Sequence, residues 1–319
     1  MKLLLDSFAG PGRLYKLERH LWLELWRTPY VEAIEEDGLE YRLYGPVQAT
    51  VLAGAPRTPL FNLVLGAVDP GAMLEGHLPA ALDWTESLGV DCRVPIGLGS
   101  MESEAAVNLL ESRGYRRTAS LVRFVRDASP PGFPEPPGIE IDEWTEETEG
   151  FGYYFEEGYG LSFPATGFFD GLPGRRPWRC YVAIDENEEG AGAAAMMVHP
   201  EAVQLAFATT KGTCRNRGVH MALLRRRILD AADRRPRPIF ADTEEPVDDP
   251  DGPSRAARNL LRAGFKQLSA RSVWRPPLPP EDEGGDGDDD EYDEDDYDDD
   301  DEDFEDDDFD EDHDFELED

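Results

Sequence analysis

Apolar residues recur every three or four positions through 14–26, the spacing of an amphipathic helix. Alternation then takes over: residues 32–34 and 39–43 read as strands with Asp37-Gly38 as their hairpin turn, and further strands are expected at 48–52 and 60–65. Helical spacing returns over 73–87, followed by a short strand at 91–95, a helix over 103–113 closed by Gly114, and a strand at 120–126. Residues 128–138 are too rich in proline for any regular element and read as a stiff linker. Beyond it the pattern predicts a strand (139–144), a helical stretch (146–157), strands at 179–184 and 191–198 with a turn at 186–190 between them, and a strand at 203–209. A helix (219–232), a strand (238–242), a helix (254–263) and a last strand (267–274) complete it.

The order of elements in the first half returns in the second, and so does a local phrase. Asn108-Leu109-Leu110 leads to Gly114-Tyr115, and Asn259-Leu260-Leu261 leads to Gly264-Phe265. In both, glycine closes a helix and an aromatic residue opens a strand, so the chain reads as an internal duplication.

Charge changes this picture at one end only. The 319-residue chain has a formal net charge of -38, but from Glu281 onward it holds 29 acidic residues and no Lys or Arg. The rest carries 40 acidic against 31 basic residues and is mildly acidic. The tail can neither bury a core nor escape its own repulsion and is expected to be disordered. The body has four lysines and no contiguous basic stripe, which argues against nucleic-acid binding. Three scattered cysteines, Cys92, Cys180 and Cys214, indicate neither a disulfide framework nor a zinc site. No run reaches membrane-spanning length and no signal-peptide core is evident, so a cytoplasmic protein with no membrane association is expected.

Candidate chemistry concentrates after the strand at 203–209, one face of which carries Gln204, Ala206, Ala208 and Thr210. Small residues let a ligand lie close to backbone. The segment Arg215-Asn216-Arg217-Gly218-Val219-His220 then runs into the helix. A helix start offers unpaired N–H groups and the positive end of its dipole, and glycine permits close approach of a phosphate. The alternative is an ordinary loop entering a helix whose Arg225, Arg226 and Arg227 mark a solvated face.

Here the chain resembles the GNAT family of acetyl-coenzyme A-dependent N-acetyltransferases, whose signature is Arg/Gln-x-x-Gly-x-Gly/Ala between a strand and a helix. Arg215 and Gly218 match; Gly212 stands where proline is common and His220 where a small residue usually sits. Residues 239–243 and 259–265 echo the family's second signature, and 139–276 carry the resemblance best. The resemblance implies an α+β fold of two GNAT-like domains, each a mixed, mostly antiparallel twisted sheet flanked by helices. These would be a degenerate domain at 1–127, a linker at 128–138, a coenzyme-binding catalytic domain at 139–276 and a disordered acidic tail at 277–319. Residues 66–71 of the first domain have no arginine and present Asp69 where phosphate would sit, so that domain is expected to bind no coenzyme.

The same resemblance implies that acetyl-coenzyme A is held by Ala208, Thr209 and Thr210 along its pantetheine arm, by Arg215, Asn216, Arg217, Gly218, Val219 and His220 at its diphosphate, and by Asn259. It implies acetyl transfer to a small-molecule or peptide amine, with no metal. Asp242, Glu244 and Glu201 are the candidate proton acceptors. The tyrosine that many family members use as proton donor is Leu260 here, and the aromatic residues between 151 and 169 lie where the family builds its acceptor wall. The missing donor keeps a non-catalytic acyl-coenzyme A-binding protein or scaffold as the alternative, and the acidic tail suits a basic protein partner.

Overall fold

The computed structural model describes residues 11–27, 38–58, 60–97, 100–145, 150–161, 165–232, 237–247 and 252–277, with side chains from residue 17. The strand expected at 32–34 and the acidic tail from residue 278 lie outside them. The first half holds α1 (Pro11–Trp26), β1 (Leu39–Tyr44), β2 (Val47–Leu52), β3 (Leu63–Leu65), α2 (His77–Ser87), β4 (Val94–Gly97), α3 (Met101–Ser112) and β5 (Arg116–Arg126). The second holds β6 (Ile139–Trp144), α4 (Tyr153–Tyr159), α5 (Gly167–Asp170), β7 (Trp178–Asp185), β8 (Gly190–Val198), β9 (Val203–Thr210), α6 (Val219–Ala232), β10 (Ile239–Pro246), α7 (Arg255–Arg262) and β11 (Lys266–Arg275). None of these helices is long and apolar enough to cross a membrane.

The fold is α+β and its pairing is mostly antiparallel. β1, β2 and β3 form a small antiparallel sheet. The other eight strands form one sheet in the order β4-β11-β5-β10-β9-β8-β7-β6, in which β9 with β10 is the parallel pair. The proline-rich segment divides the halves along the chain but not within this sheet. β5, from the first half, lies between β10 and β11 of the second, while β11 reaches across to β4. Each half thus gives its last strand to the other. Residues 128–138 form no regular element but are packed down: Phe133 sits against a core of the second half, and Glu135 meets Arg225 at 3.3 Å.

The two helices that precede the exchanged strands are closed in the same way. The N–H groups of Gly114 and Tyr115 donate to Glu111 and Leu110, and those of Gly264 and Phe265 donate to Leu261 and Leu260. Both glycines have positive φ, near 82° and 84°, the left-handed closure that glycine adopts without a Cβ penalty. This match aligns Leu110 with Leu260, both buried, and therefore Asn259 with Leu109. The Asn-Leu-Leu likeness in the sequence is one residue out of step; the glycine-aromatic closure is the part the geometry repeats.

Three cores stabilise the arrangement. One face of the large sheet packs Leu21, Trp22, Leu25 and Trp26 of α1 with Phe155 and Phe169 of α4 and α5. The opposite face packs Leu223, Leu224 and Ile228 of α6 with Leu260 and Phe265. The third lies under α2 and α3, where Leu78, Leu82 and Leu110 meet Val94 and Ile96 of β4.

Where the exchanged strands meet, the interior is charged. Arg123 on β5 donates to both carboxylate oxygens of Asp242 on β10, at 2.7 and 2.6 Å, and lies 3.8 Å from Glu18 of α1. Arg271 on β11 donates to both oxygens of Glu18 at 2.5 and 2.8 Å and approaches Asp242 at 4.0 Å. Two arginines and two carboxylates thus form a neutral, nearly water-free quartet drawn from four elements of both halves. Desolvating such groups is costly, and only their mutual pairing offsets it. Removing one member leaves a buried charge behind. Arg123→Met is expected to lower folding stability by about 3–5 kcal/mol, read as a lower urea midpoint with an unchanged slope; a loss below about 1 kcal/mol, the exposed-pair value, would refute this account.

Candidate functional site

β9 and β10 are paired only at Val203 with Ile239, Gln204 with Phe240, and Leu205 with Ala241. Beyond these residues β10 stays with β5, running antiparallel to it as far as Pro246, while β9 stays with β8. The strands therefore diverge, and a cavity of about 510 Å³ opens between them. Its walls come from both faces of the sheet: Trp22, Leu161 and Phe207 belong to the α1 side, Leu205, Leu224 and Leu260 to the α6 side.

β9 also carries an irregularity at the mouth of this gap. Ala194 of β8 faces Ala208 and Ala195 faces Ala206, so Phe207 is an extra residue, with φ near 45°. A bulge leaves its extra residue out of the ladder and re-aims the strand. Phe207 accordingly joins the α1-side core, whereas Val203 and Leu205 face α6. The main chain from Ala206 to Thr210 has no ladder with β10. The Ala208 carbonyl lies 3.5 Å from the Tyr159 hydroxyl, which also lines the cavity.

The predicted coenzyme residues separate into groups. Ala208 and His220 line the cavity. Thr209 is buried, with its hydroxyl unsatisfied and pressed toward Gly158, and Thr210 is partly buried at the strand end. Arg215, Asn216 and Arg217 are exposed on the loop before α6, Asn216 and Gly218 have positive φ near 67° and 89°, and Val219 is core. Arg217 is already paired, to Asp185 at 3.0 Å and Glu186 at 3.2 Å. A Cβ on Gly218 would come within 2.8 Å of Pro136, so the close approach this glycine permits is to the proline-rich segment. Asn259 does not line the cavity; its amide contacts His220 Nδ1 at 3.2 Å.

The three candidate acids are likewise separated. Glu201 lies two residues before β9, at the end where the strands are still paired, and it does not line the cavity. Asp242 lines it but is saturated by Arg123. Burial opposes ionisation of this carboxyl, yet Arg123, with a lesser contribution from Arg271, holds it below the usual carboxylate range. Glu244 lines the cavity, is 48% exposed, and accepts one hydrogen bond from Arg93 at 2.7 Å.

Pattern reading missed the walls supplied by the first half, among them Glu18, Leu21, Trp22 and Arg93. It also missed Arg227: Arg225 and Arg226 are partly exposed, but Arg227 is only 2% exposed and faces the cavity. The signal available was position, since Arg227 lies four residues after Leu223 and shares its helical face. In the first half, Asp69 is buried and pairs with Arg19 at 3.0 Å. Among the described residues no cluster of three His, Cys, Asp or Glu side chains is arranged for a metal.

His220 is held neutral, its pKa lowered to about 4 by burial and, secondarily, by the charge of Arg227. An unfolded histidine takes up its proton near pH 6.5, so the unfolded chain binds more protons in the interval between the two values. Stability should therefore fall as pH drops from about 6.5 toward 4. His220→Gln keeps a partner for Asn259 and should flatten this part of the thermal-midpoint profile; an unchanged slope would count against the assignment.

No family model matches this chain and no curated protein matches it. Solved structures do. A GCN5-related N-acetyltransferase from Sphaerobacter thermophilus is similar with a TM-score of 0.52 at 18% identity, covering 73% of this chain and 78% of that one. A conserved protein of unknown function from Staphylococcus epidermidis gives 0.51 at 10% identity, with 77% and 98% covered. A Drosophila protein gives 0.50 at 14% identity, with 83% and 94% covered. With its diverging parallel pair, bulged strand and following helix, this chain has the fold of the GNAT N-acetyltransferases.

Proposed function

We propose that the protein is an acyltransferase that moves an acetyl group from acetyl-coenzyme A to an amine. The observation that carries this reading is the unladdered edge of β9 from Ala206 to Thr210, opening on a cavity that spans both faces of the sheet. An extended pantetheine arm can pair with that edge as a strand would, with the diphosphate at the N-terminus of α6 near Arg215 and Gly218. The thioester would then lie at the bulge, and an amine would enter from the side walled by Trp22, Leu161, Arg93 and Glu244. The nitrogen lone pair attacks the thioester carbon and the carbon–sulfur bond breaks. The amine proton leaves through an acceptor in the cavity, and the thiolate takes up a proton to leave as the thiol.

Glu244 is the acid best suited to accept that proton, because it is half-exposed and held by one arginine nitrogen, whereas Asp242 is tied to two. The non-catalytic alternative draws its support from Leu260, an apolar side chain in the cavity wall where many enzymes of this fold place a hydroxyl. A basic partner bound through the acidic tail is compatible with either reading.

Calorimetric titration of the full chain with acetyl-coenzyme A tests the first step. Binding is expected, and Arg215→Ala, an exposed change, should weaken it about tenfold, or about 1.4 kcal/mol, with no change in thermal midpoint. No heat at millimolar ligand would remove the proposal. Thiol release measured against a panel of amines tests the second step. Glu244→Gln should lower the rate at least about a hundredfold at unaltered coenzyme affinity, and a binding-competent wild-type protein that releases no thiol with any amine would favour the non-catalytic reading.

A further inference from the structure

Arg227 is the largest fully buried side chain among the described residues, and no carboxylate among them forms an ion pair with it. Its Nε donates to the Leu223 carbonyl at 3.1 Å, and its Nη1 donates to the carbonyls of Ala195 at 3.1 Å and Ala206 at 3.3 Å. The last two belong to residues that face each other across β8 and β9, the pair next to the place where Phe207 breaks the register. One guanidinium nitrogen thus bridges the two strands at the bulge. That geometric role needs donors, but a charge at such depth is costly unless something compensates it. Burial lowers the pKa of Arg227 to about 10, which leaves it charged at neutral pH.

The other charged groups lining this cavity balance. Arg93 pairs with Glu244, and Glu18 and Asp242 are matched by Arg123 and Arg271. His220 is neutral at neutral pH, and Tyr159 stays protonated because burial pushes its hydroxyl up. Tyr181, on the far side of Arg227, donates its hydroxyl to Asp230. Arg227 is left as one excess positive charge at the bulge, with the cavity as the place where a countercharge can form.

We infer that Arg227 holds the β9 bulge and stabilises negative charge on the sulfur of a coenzyme thiol lying against it. The inference rests on the acyltransferase reading. When the carbon–sulfur bond of the thioester breaks, its electron pair goes to sulfur and the acyl carbon stays bonded to the amine nitrogen. The proton shed by that nitrogen restores the thiol. A fixed cation beneath the sulfur lowers the energy of the intervening thiolate without having to reorganise as it forms.

The test is to titrate the thiol of coenzyme A bound to the intact protein by its ultraviolet thiolate absorption, for wild type, Arg227→Gln and Arg227→Lys. A nearby cation is expected to lower the bound thiol's pKa by about one to three units relative to free coenzyme. The shift should vanish in the Gln variant and persist in the Lys variant below the lysine's own titration. A role confined to donating hydrogen bonds to Ala195 and Ala206 would leave the Gln variant like wild type, and that result overturns the inference. So does an unshifted thiol in the wild-type complex, a result that stands even if the Gln variant fails to fold. Absence of coenzyme binding by wild type would defeat the acyltransferase reading itself, whereas binding with an unshifted thiol defeats this inference alone.

Discussion

The pairing of Arg123 with Asp242, and of Glu18 with Arg271, is the constraint around which the rest of the molecule is arranged. Four desolvated charges are tolerated only if each reaches its partner, and the partners come from α1, β5, β10 and β11. A one-residue slip of β5 would turn Arg123 to the other face of the sheet and leave Asp242 unpaired. The quartet therefore sets the register as well as the choice of partner. It makes the exchanged arrangement of last strands depend on both halves being present.

The cavity follows from the same commitment. β10 is held along its length to β5, where Asp242 stands opposite Arg123, while its ladder with β9 on the other edge ends at Ala241. β9 in turn is deflected by the extra residue at Phe207, with Arg227 bridging the carbonyls of the facing pair Ala195 and Ala206 beside it. Divergence of two neighbouring strands normally exposes unpaired backbone. Here the exposed edge lies inside a cavity, where an extended ligand can satisfy it.

Electrostatics divides that cavity into two environments. On the α1 side, charges are present in matched pairs. On the α6 side, His220 is neutral and Arg227 is charged and unmatched, so a nucleophile or leaving group that carries negative charge is favoured there.

Much of the scaffold was legible in the chain itself. The strand 139–144 and the helix 219–232 fall where periodicity places them, and Gly114-Tyr115 and Gly264-Phe265 close helices as their residue types require, because these features depend on local sterics and burial. Of the cavity lining, Ala208 and His220 could be singled out from their places on β9 and at the start of α6, because those signals are local; the loop of Arg215 to Gly218 enters the site only as a proposal. Glu18, Arg93 and Trp22 could not be read as parts of the cavity, since they are far from β9 in sequence and arrive through strand exchange. Asp242 has the local signature of a loop acid but stands opposite Arg123, and Arg227 has that of a solvated charge but is buried beside the bulge. Sequence alone determined where the chain coils, extends and turns, because those choices are made over a few residues. Tertiary structure decided which strands share a sheet and which charges meet, because pairing energies between distant residues exist only once the halves have exchanged strands.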